Sequence, residues 1–427
     1  MGNLELILEK HTERIHHGLE VLPTLRYGVP EGLGNKRWTG ELILATYEQA
    51  LTGEIPENGL EYKTGNSGGG FDVLGWKRHE GVAKVDEDSV DLSISLNKRH
   101  EGRKIEIPIP IYGGGMSFGS ISLNFMIARA RAARKLKTYT STGEGGYPDQ
   151  IVPYRDHVIT QVATGMFGVR EETIQYAPIV EFKYAQGAKP GLGGHLLADK
   201  VTSEVAKMRE SSMFTSLYSP FPFHSVYSVE DHKKHVDWIK TVNPRALVSV
   251  KVSTPTDVDM VAIGSYYAGA NIIHIDGGYG GTGAAPEIAK KNIAMPVEYA
   301  IPKVHEYLVS EGVRDQITLM ASGGIRTADD VAKAIVLGAD GCVIGTAEAV
   351  AVGCTHCGNC ERGRGCQVGI TTTDPELSQL IDPEWGEKRI VKLFNAWSKR
   401  LRMILAEFGL GSVRELRGRK DLLVRYK

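Results

Sequence analysis

From residue 105 onward, short apolar runs alternate with helix-patterned segments, and few architectures accept that alternation. "IEIPIPIYGGG" (105–115) reads as a buried strand and "LNFMIARARAARKL" (123–136) as a helix. "TYTSTGEGG" (138–146) and "IVEFKYAQGAKPG" (179–191) read as strands that end in glycine loops. "ALVSVKVS", "NIIHIDGGYGG", "ITLMASGGIRT" and "GCVIG" continue the series, with "DVDMVAIGSYYAG" and "ADDVAKAIVLG" as helices between them. That makes seven strands, and the spacing places an eighth between 150 and 225. The polar and glycine-rich stretches follow the strands, at their C-terminal ends. The expectation is therefore α/β, a (β/α)8 TIM barrel, which keeps its site at that face. A doubly wound sheet is the alternative, but no Gly-x-Gly-x-x-Gly follows a first strand.

Residues 1–104 are read as an N-terminal extension or cap, with a helix at the start and a Gly-rich segment at 64–72. The barrel is expected over 105–374, and 375–427 as a C-terminal helical tail whose amphipathic pattern suits packing on the barrel. A net charge of -1 gives no footprint for nucleic acid. No apolar run approaches the roughly 18 residues of a membrane span. The N-terminus has no signal-peptide pattern, so the expected location is cytoplasmic.

The 50 glycines fall in clusters, which let backbone approach a ligand. Gly278 and Gly281 lie in one such loop. Gly323 and Gly324, then Gly345 and Thr346, each precede a helix at the last two strands, where barrels bind phosphate. The ligand should be a phosphorylated cofactor.

Four of the five cysteines, Cys354, Cys357, Cys360 and Cys366, lie within "CTHCGNCERGRGC". Cys-x2-Cys-x2-Cys-x5-Cys is close to iron–sulfur spacing. Tetrahedral zinc is the rival, although zinc sites usually join two separated pairs. Cys342, inside "GCVIG", reads as a buried small hydrophobe.

"MSFGSIS", "STGEGG", "QVATGMFGV", "KYAQGAKPGLGGH", "SPFPFHSVYSVED", "DGGYGGTGAAP", "ASGGIRTADDVAKAIVLGAD" and "CQVGITTTDPEL" stand in an order that resembles the FMN-binding synthase domain of glutamate synthase, over about 105–400. The resemblance implies FMN, an adjacent iron–sulfur cluster, and reductive conversion of 2-oxoglutarate and ammonia to glutamate through 2-iminoglutarate. It implies that Met116 and Ser117 contact the flavin ring and that Gln161 bonds its pyrimidine edge. Lys251 would place a cation near N1 and C2=O, where charge accumulates on reduction. A strand-end lysine held in an ion pair is the structural alternative.

In that family three cysteines hold a 3Fe–4S cluster. Cys354, Cys360 and Cys366 fit with one extra residue in the second gap, and Cys357 is additional, which leaves 4Fe–4S open. Lys183 and Lys189 resemble the pair that grips 2-oxoglutarate, with Gln186 between them, and Glu144 the carboxylate that handles protons. His195 stands where the family has glutamine, and Phe223 where the first of two histidines is expected. The resemblance implies an amidotransferase domain with an N-terminal cysteine nucleophile, and with the first cysteine at 342 that domain is not expected in this chain. A split enzyme is expected: a hetero-oligomer with a glutaminase subunit and an electron-donor subunit or ferredoxin. Alternatives are an N-methylglutamate synthase subunit using methylamine, a non-catalytic electron-relay subunit, and a hydroxyacid-oxidase-type flavin barrel, which needs no cluster.

Overall fold

Short, wholly buried strands with helices between them have both faces covered, and here they close on themselves. The computed structural model describes residues 33–56, 70–219, 223–281 and 283–426. The helix expected at the chain start and most of the Gly-rich segment 64–72 lie outside these residues.

The barrel strands are β1 (Ile111–Gly113), β2 (Thr140–Ser141), β3 (Val158–Ala163), β4 (Ile179–Lys183), β5 (Leu247–Ser253), β6 (Ile272–Asp276), β7 (Thr318–Ser322) and β8 (Gly341–Ile344). They form a closed barrel in which β8 pairs with β1, in parallel like its other neighbours. Every residue of β3, β5, β6, β7 and β8 is buried, which explains their continuous apolar runs. The eighth strand, β3, lies inside the expected interval. Its polar Thr160 and Gln161 had interrupted the apolar signal.

"IEIPIPIYGGG" is two strands rather than one. Glu106–Ile107 pairs antiparallel with Ile94–Ser95, and the barrel strand begins only at Ile111. Pro108 and Pro110 lie between them, and neither can donate to a ladder. This hairpin closes the N-terminal end of the barrel. Thr318 Oγ1 donates to the Ser95 carbonyl at 2.9 Å, and Asn271 Nδ2 to Asn97 Oδ1 at 3.0 Å. The position 104/105 therefore falls within a hairpin.

Asp382 caps the helix Pro383–Glu407, whose first residue is a proline already suited to that position. Leu393, Phe394, Trp397, Leu401 and Leu405 are buried on it, facing the helices Leu123–Lys135 and Gly40–Thr52. The tail thus packs on the barrel. No described helix is long and apolar enough to cross a membrane. Strand Leu74–Trp76 pairs antiparallel with Leu423–Arg425, which joins the extension to the tail.

Candidate functional site

Register places Gln161 beside Glu181, and Glu181 beside Ser249. Gln161 Nε2 donates to Glu181 Oε1 at 2.7 Å, and Ser249 Oγ to Oε2 at 2.9 Å. His274 Nδ1 lies 3.1 Å from Oε2, and its Nε2 lies 2.7 Å from Ser322 Oγ. Ser322 Oγ donates to Asp276 Oδ1 at 2.6 Å, and Asp276 Oδ2 lies 3.4 Å from Lys251 Nζ. Gln161 and Lys251 are therefore the two ends of one buried polar chain. Burial pushes Glu181 up, but His274 above all, with Lys251 and Gln161, holds its carboxyl at about 2. Burial likewise raises Asp276, and Lys251 and His274 outweigh it. The sequence reading missed Glu181, His274 and Asp276. Their signal was a polar residue set inside an otherwise apolar strand, in "IVEFK" and "IIHID".

Above β4 a cleft opens, lined by Glu144, Lys183, Tyr184, Gln186, Gly194 and Ser219. Glu144 Oε2 is 3.6 Å from Lys183 Nζ. Burial raises the Glu144 carboxyl, but Lys183, Arg209 and Lys189 together bring it below its ordinary value. Burial pulls Lys183 down, against the attraction of Glu144. Lys189 falls to about 8, from burial first and then from the charge of Lys183. Its Nζ lies 3.1 Å from His195 Nδ1, and His195 Nε2 lies 3.2 Å from Glu361 Oε1 in the cysteine loop. Gln186 Nε2 donates to the Gly193 carbonyl at 3.2 Å. Glu144 Oε2 and the Tyr184 hydroxyl, both buried, have no hydrogen-bond partner.

Arg209 carried no motif and was missed. Only 4% exposed, it donates through Nη2 to Ser117 Oγ at 2.9 Å and to the Phe118 carbonyl at 3.1 Å. Lys183, Lys189 and Arg209 thus all act on the one buried carboxylate of Glu144. Phe223 is 3% exposed and packs edge-on against Phe182 and His235 and at a tilt against Tyr184. It is part of an aromatic core.

The glycine loops meet beside β8. A Cβ on Gly281 would fall 1.9 Å from Thr346 Oγ1, and one on Gly345 3.3 Å from Met116 Cε. Gly323 and Gly324 take φ of +92° and +96°, and a Cβ on Gly323 would strike Gly277 backbone. The Gly278 N–H is engaged by the Met295 carbonyl. The two expected helix starts differ. Gly345 leads directly into the helix Thr346–Ala351, whereas the helix Ala328–Leu337 is capped by Thr327 Oγ1, which accepts from the Asp330 N–H. In the first turn of that helix, Asp329 is held by Trp76 and Arg400, and Asp330 by Arg326.

The cysteine loop follows Thr346–Ala351. Cys366 is buried, Cys354 and Cys360 are half-buried, Cys357 is exposed, and all are free thiols. The His356 N–H donates to Cys354 Sγ at 3.4 Å. A Cβ on Gly283 would fall 2.4 Å from Cys360 Sγ, so this loop rests on the glycine loop after β6. Among the described residues no three His, Cys, Asp or Glu side chains converge as they would on a single metal ion. Burial pushes the Cys354 thiol up to about 12. Cys342 is a fully buried member of β8.

Eight parallel strands with glycine loops and a cationic cleft at their C-terminal ends define a (β/α)8 barrel. A profile described as a conserved region in glutamate synthase matches residues 77–411. The chain belongs to the glutamate synthase family. It is 42% identical over 320 residues to an archaeal glutamate synthase (NADPH) of Methanocaldococcus jannaschii, covering 75% of this chain and 62% of that protein. It is 36% identical over 409 residues to an archaeal-type glutamate synthase (NADPH) of Dehalococcoides mccartyi, covering 90% of this chain and 80% of the relative. The chain thus spans less than two thirds of the first relative's length. Among solved structures, the recombinant flavin-binding domain of baker's yeast flavocytochrome b2 aligns with a TM-score of 0.52 at 15% identity, covering 96% of this chain and 90% of that one. A mandelate oxidase mutant with an FMN adduct aligns at 0.51 and 13%, covering 93% and 94%. Likeness at that identity establishes the fold.

Proposed function

We propose that this chain carries the glutamate-forming reaction of a glutamate synthase: ammonia and 2-oxoglutarate condense with loss of water to 2-iminoglutarate, which is reduced to L-glutamate. The observation that carries the proposal is the buried Glu144 ringed by Lys183, Lys189 and Arg209. Lys183, Lys189 and Arg209 together make this a cationic site, the kind a dicarboxylate would complement. Lys183 and Lys189 grip the substrate carboxylates. Glu144, kept ionised by those cations and ion-paired through Oε2 with Lys183, accepts a proton as ammonia adds and returns one as water leaves. Gln186 and the Tyr184 hydroxyl orient the substrate.

The residues present fit FMN. Lys251 and Gln161 flank the place for the pyrimidine edge. Met116 and Ser117 suit the ring, and Gly281, Gly323, Gly324, Gly345 and Thr346 the phosphate, where side chains would fill the space. They also fit an iron–sulfur cluster. Cys354, Cys360 and Cys366 are shielded free thiols beside the glycine loop, and a cluster spreads its ligands wider than one ion does. Exposed Cys357 is then not a ligand, and the cluster is 3Fe–4S. When bound, reduced FMN supplies a hydride to the imine carbon and the cluster supplies electrons singly. A glutaminase subunit and an electron-donor subunit or ferredoxin would complete a hetero-oligomer.

Anaerobic purification with flavin and iron analysis and EPR tests the cofactor set. FMN with about three irons, EPR-active as isolated, is expected. Dithionite-driven assays with 2-oxoglutarate and ammonium should yield glutamate from the wild type and little from Glu144→Gln. Zinc without flavin would overturn the proposal.

A further inference from the structure

The cysteine loop is gripped from one side by two consecutive residues of the insertion between β4 and β5. Asp199 Oδ2 accepts from the Gly363 N–H at 2.8 Å. Lys200 Nζ donates to the Cys360 carbonyl at 2.7 Å and to the Thr371 carbonyl at 2.9 Å. Lys200 is 2% exposed, and among the described residues no carboxylate forms an ion pair with it. An ammonium withdrawn from water is costly without a counter-charge, and two carbonyl dipoles do not neutralise it. Burial pulls its pKa down, and Cys360 and Cys366, with Asp199 and Glu361, act against that. A buried cation has thus been placed beside sulfurs that carry negative charge only as metal ligands.

We propose that the positive charge of Lys200 raises the reduction potential of the iron–sulfur cluster held by this loop. Taking up one electron makes the cluster more negative. A fixed cation bonded to the backbone of the cysteine loop, poorly screened in a buried setting, favours that state. The two carbonyl bonds hold the ammonium in place, so its effect does not depend on a mobile side chain. No motif marks Lys200, and the glutamate-forming chemistry does not use it. The inference rests on the cluster reading given above.

The test is an EPR-monitored titration with dithionite of the anaerobically purified full chain, comparing wild type, Lys200→Gln and Lys200→Arg, each with its iron content. Gln can still donate to both carbonyls but carries no charge, and Arg keeps the charge. At the potential where wild-type clusters are half reduced, Lys200→Gln should show at least a tenfold lower ratio of reduced to oxidised cluster. That tenfold change is about 59 mV for a one-electron couple. Lys200→Arg should follow the wild type. Lys200→Gln with full iron and an unmoved midpoint overturns the proposal, and so does an equal fall in Lys200→Arg, which would report geometry rather than charge. Iron lost from Lys200→Gln also overturns it, since the lysine would then simply hold the loop. A wild-type chain without an iron–sulfur signal is a different failure, that of the cluster reading, and shows before any variant is made.

Discussion

Glu181 and His274 meet inside the barrel, Oε2 of one 3.1 Å from Nδ1 of the other, with both side chains out of solvent. Through them the amide of Gln161 on β3 is joined to the ammonium of Lys251 on β5, across strands that do not neighbour each other. The groups proposed to touch the flavin's pyrimidine edge are thus fixed by one network, and a change at its centre should reach both ends.

The same pair predicts a pH dependence of stability. Glu181 stands at about 2 in the fold against an ordinary 4.5, so the unfolded chain takes up its proton first. Its contribution is fully present above about 4.5 and is lost as pH falls toward about 2. A displacement of that size corresponds to on the order of 3 kcal/mol. His274→Gln removes the main cause and should flatten this part of the profile. Urea midpoints measured between these limits check it, and an unchanged slope in the variant would contradict the assignment.

Lys189 gives a second dependence, in substrate binding. Burial and Lys183 hold it at about 8, so above that pH the free protein loses one of the charges proposed to grip 2-oxoglutarate. Affinity for 2-oxoglutarate should fall with rising pH from there, by up to about tenfold per pH unit. Lys189→Arg, whose charge persists, should lose the break. Equilibrium binding across pH would show it, and a wild-type profile flat to pH 10 would rule Lys189 out as the titrating grip.

Gly194→Ala separates positioning from stability. Its Cβ would lie 1.9 Å from Glu144 Oε1, the movable end of a side chain, so the carboxylate would shift while the fold stays. We expect kcat to drop about 100-fold, with Tm nearly unchanged. A variant that unfolds, or one that keeps full kcat, would each contradict this.

Much of this was legible in the sequence because it depends on periodicity and on runs of glycine. Seven strands announced themselves as apolar runs, one of them ending in Lys183, and the loops after them carried Glu144, Lys189 and the glycines of the site. What stayed hidden depends on register and distance. Nothing local in "VITQVA" marks Gln161 as the partner of Glu181, because that pairing exists only once β3 and β4 align. Arg209 and Lys200 come from a segment without motif and reach the site only after the insertion folds over the barrel mouth. The prolines 108 and 110 were visible, but their consequence, a strand divided between a hairpin and the barrel, required the partner strand at Ile94–Ser95.

The cysteine assignments diverge under substitution. Cys357 is exposed, while Cys366 is buried. Cys357→Ser should retain iron and its EPR signal, and Cys366→Ser should lose both. Equal loss from the two would make Cys357 a ligand and the cluster 4Fe–4S.

The proposed reaction has this barrel reduce 2-iminoglutarate with an electron pair from its own flavin. The most direct measurement mixes the anaerobic, dithionite-reduced, FMN-loaded chain with 2-oxoglutarate and ammonium in a stopped-flow spectrometer, with glutamate quantified after quenching. Flavin reoxidation is expected only when both substrates are present, with one glutamate formed per flavin oxidised. Flavin that stays reduced, or that reoxidises without forming glutamate, would contradict it.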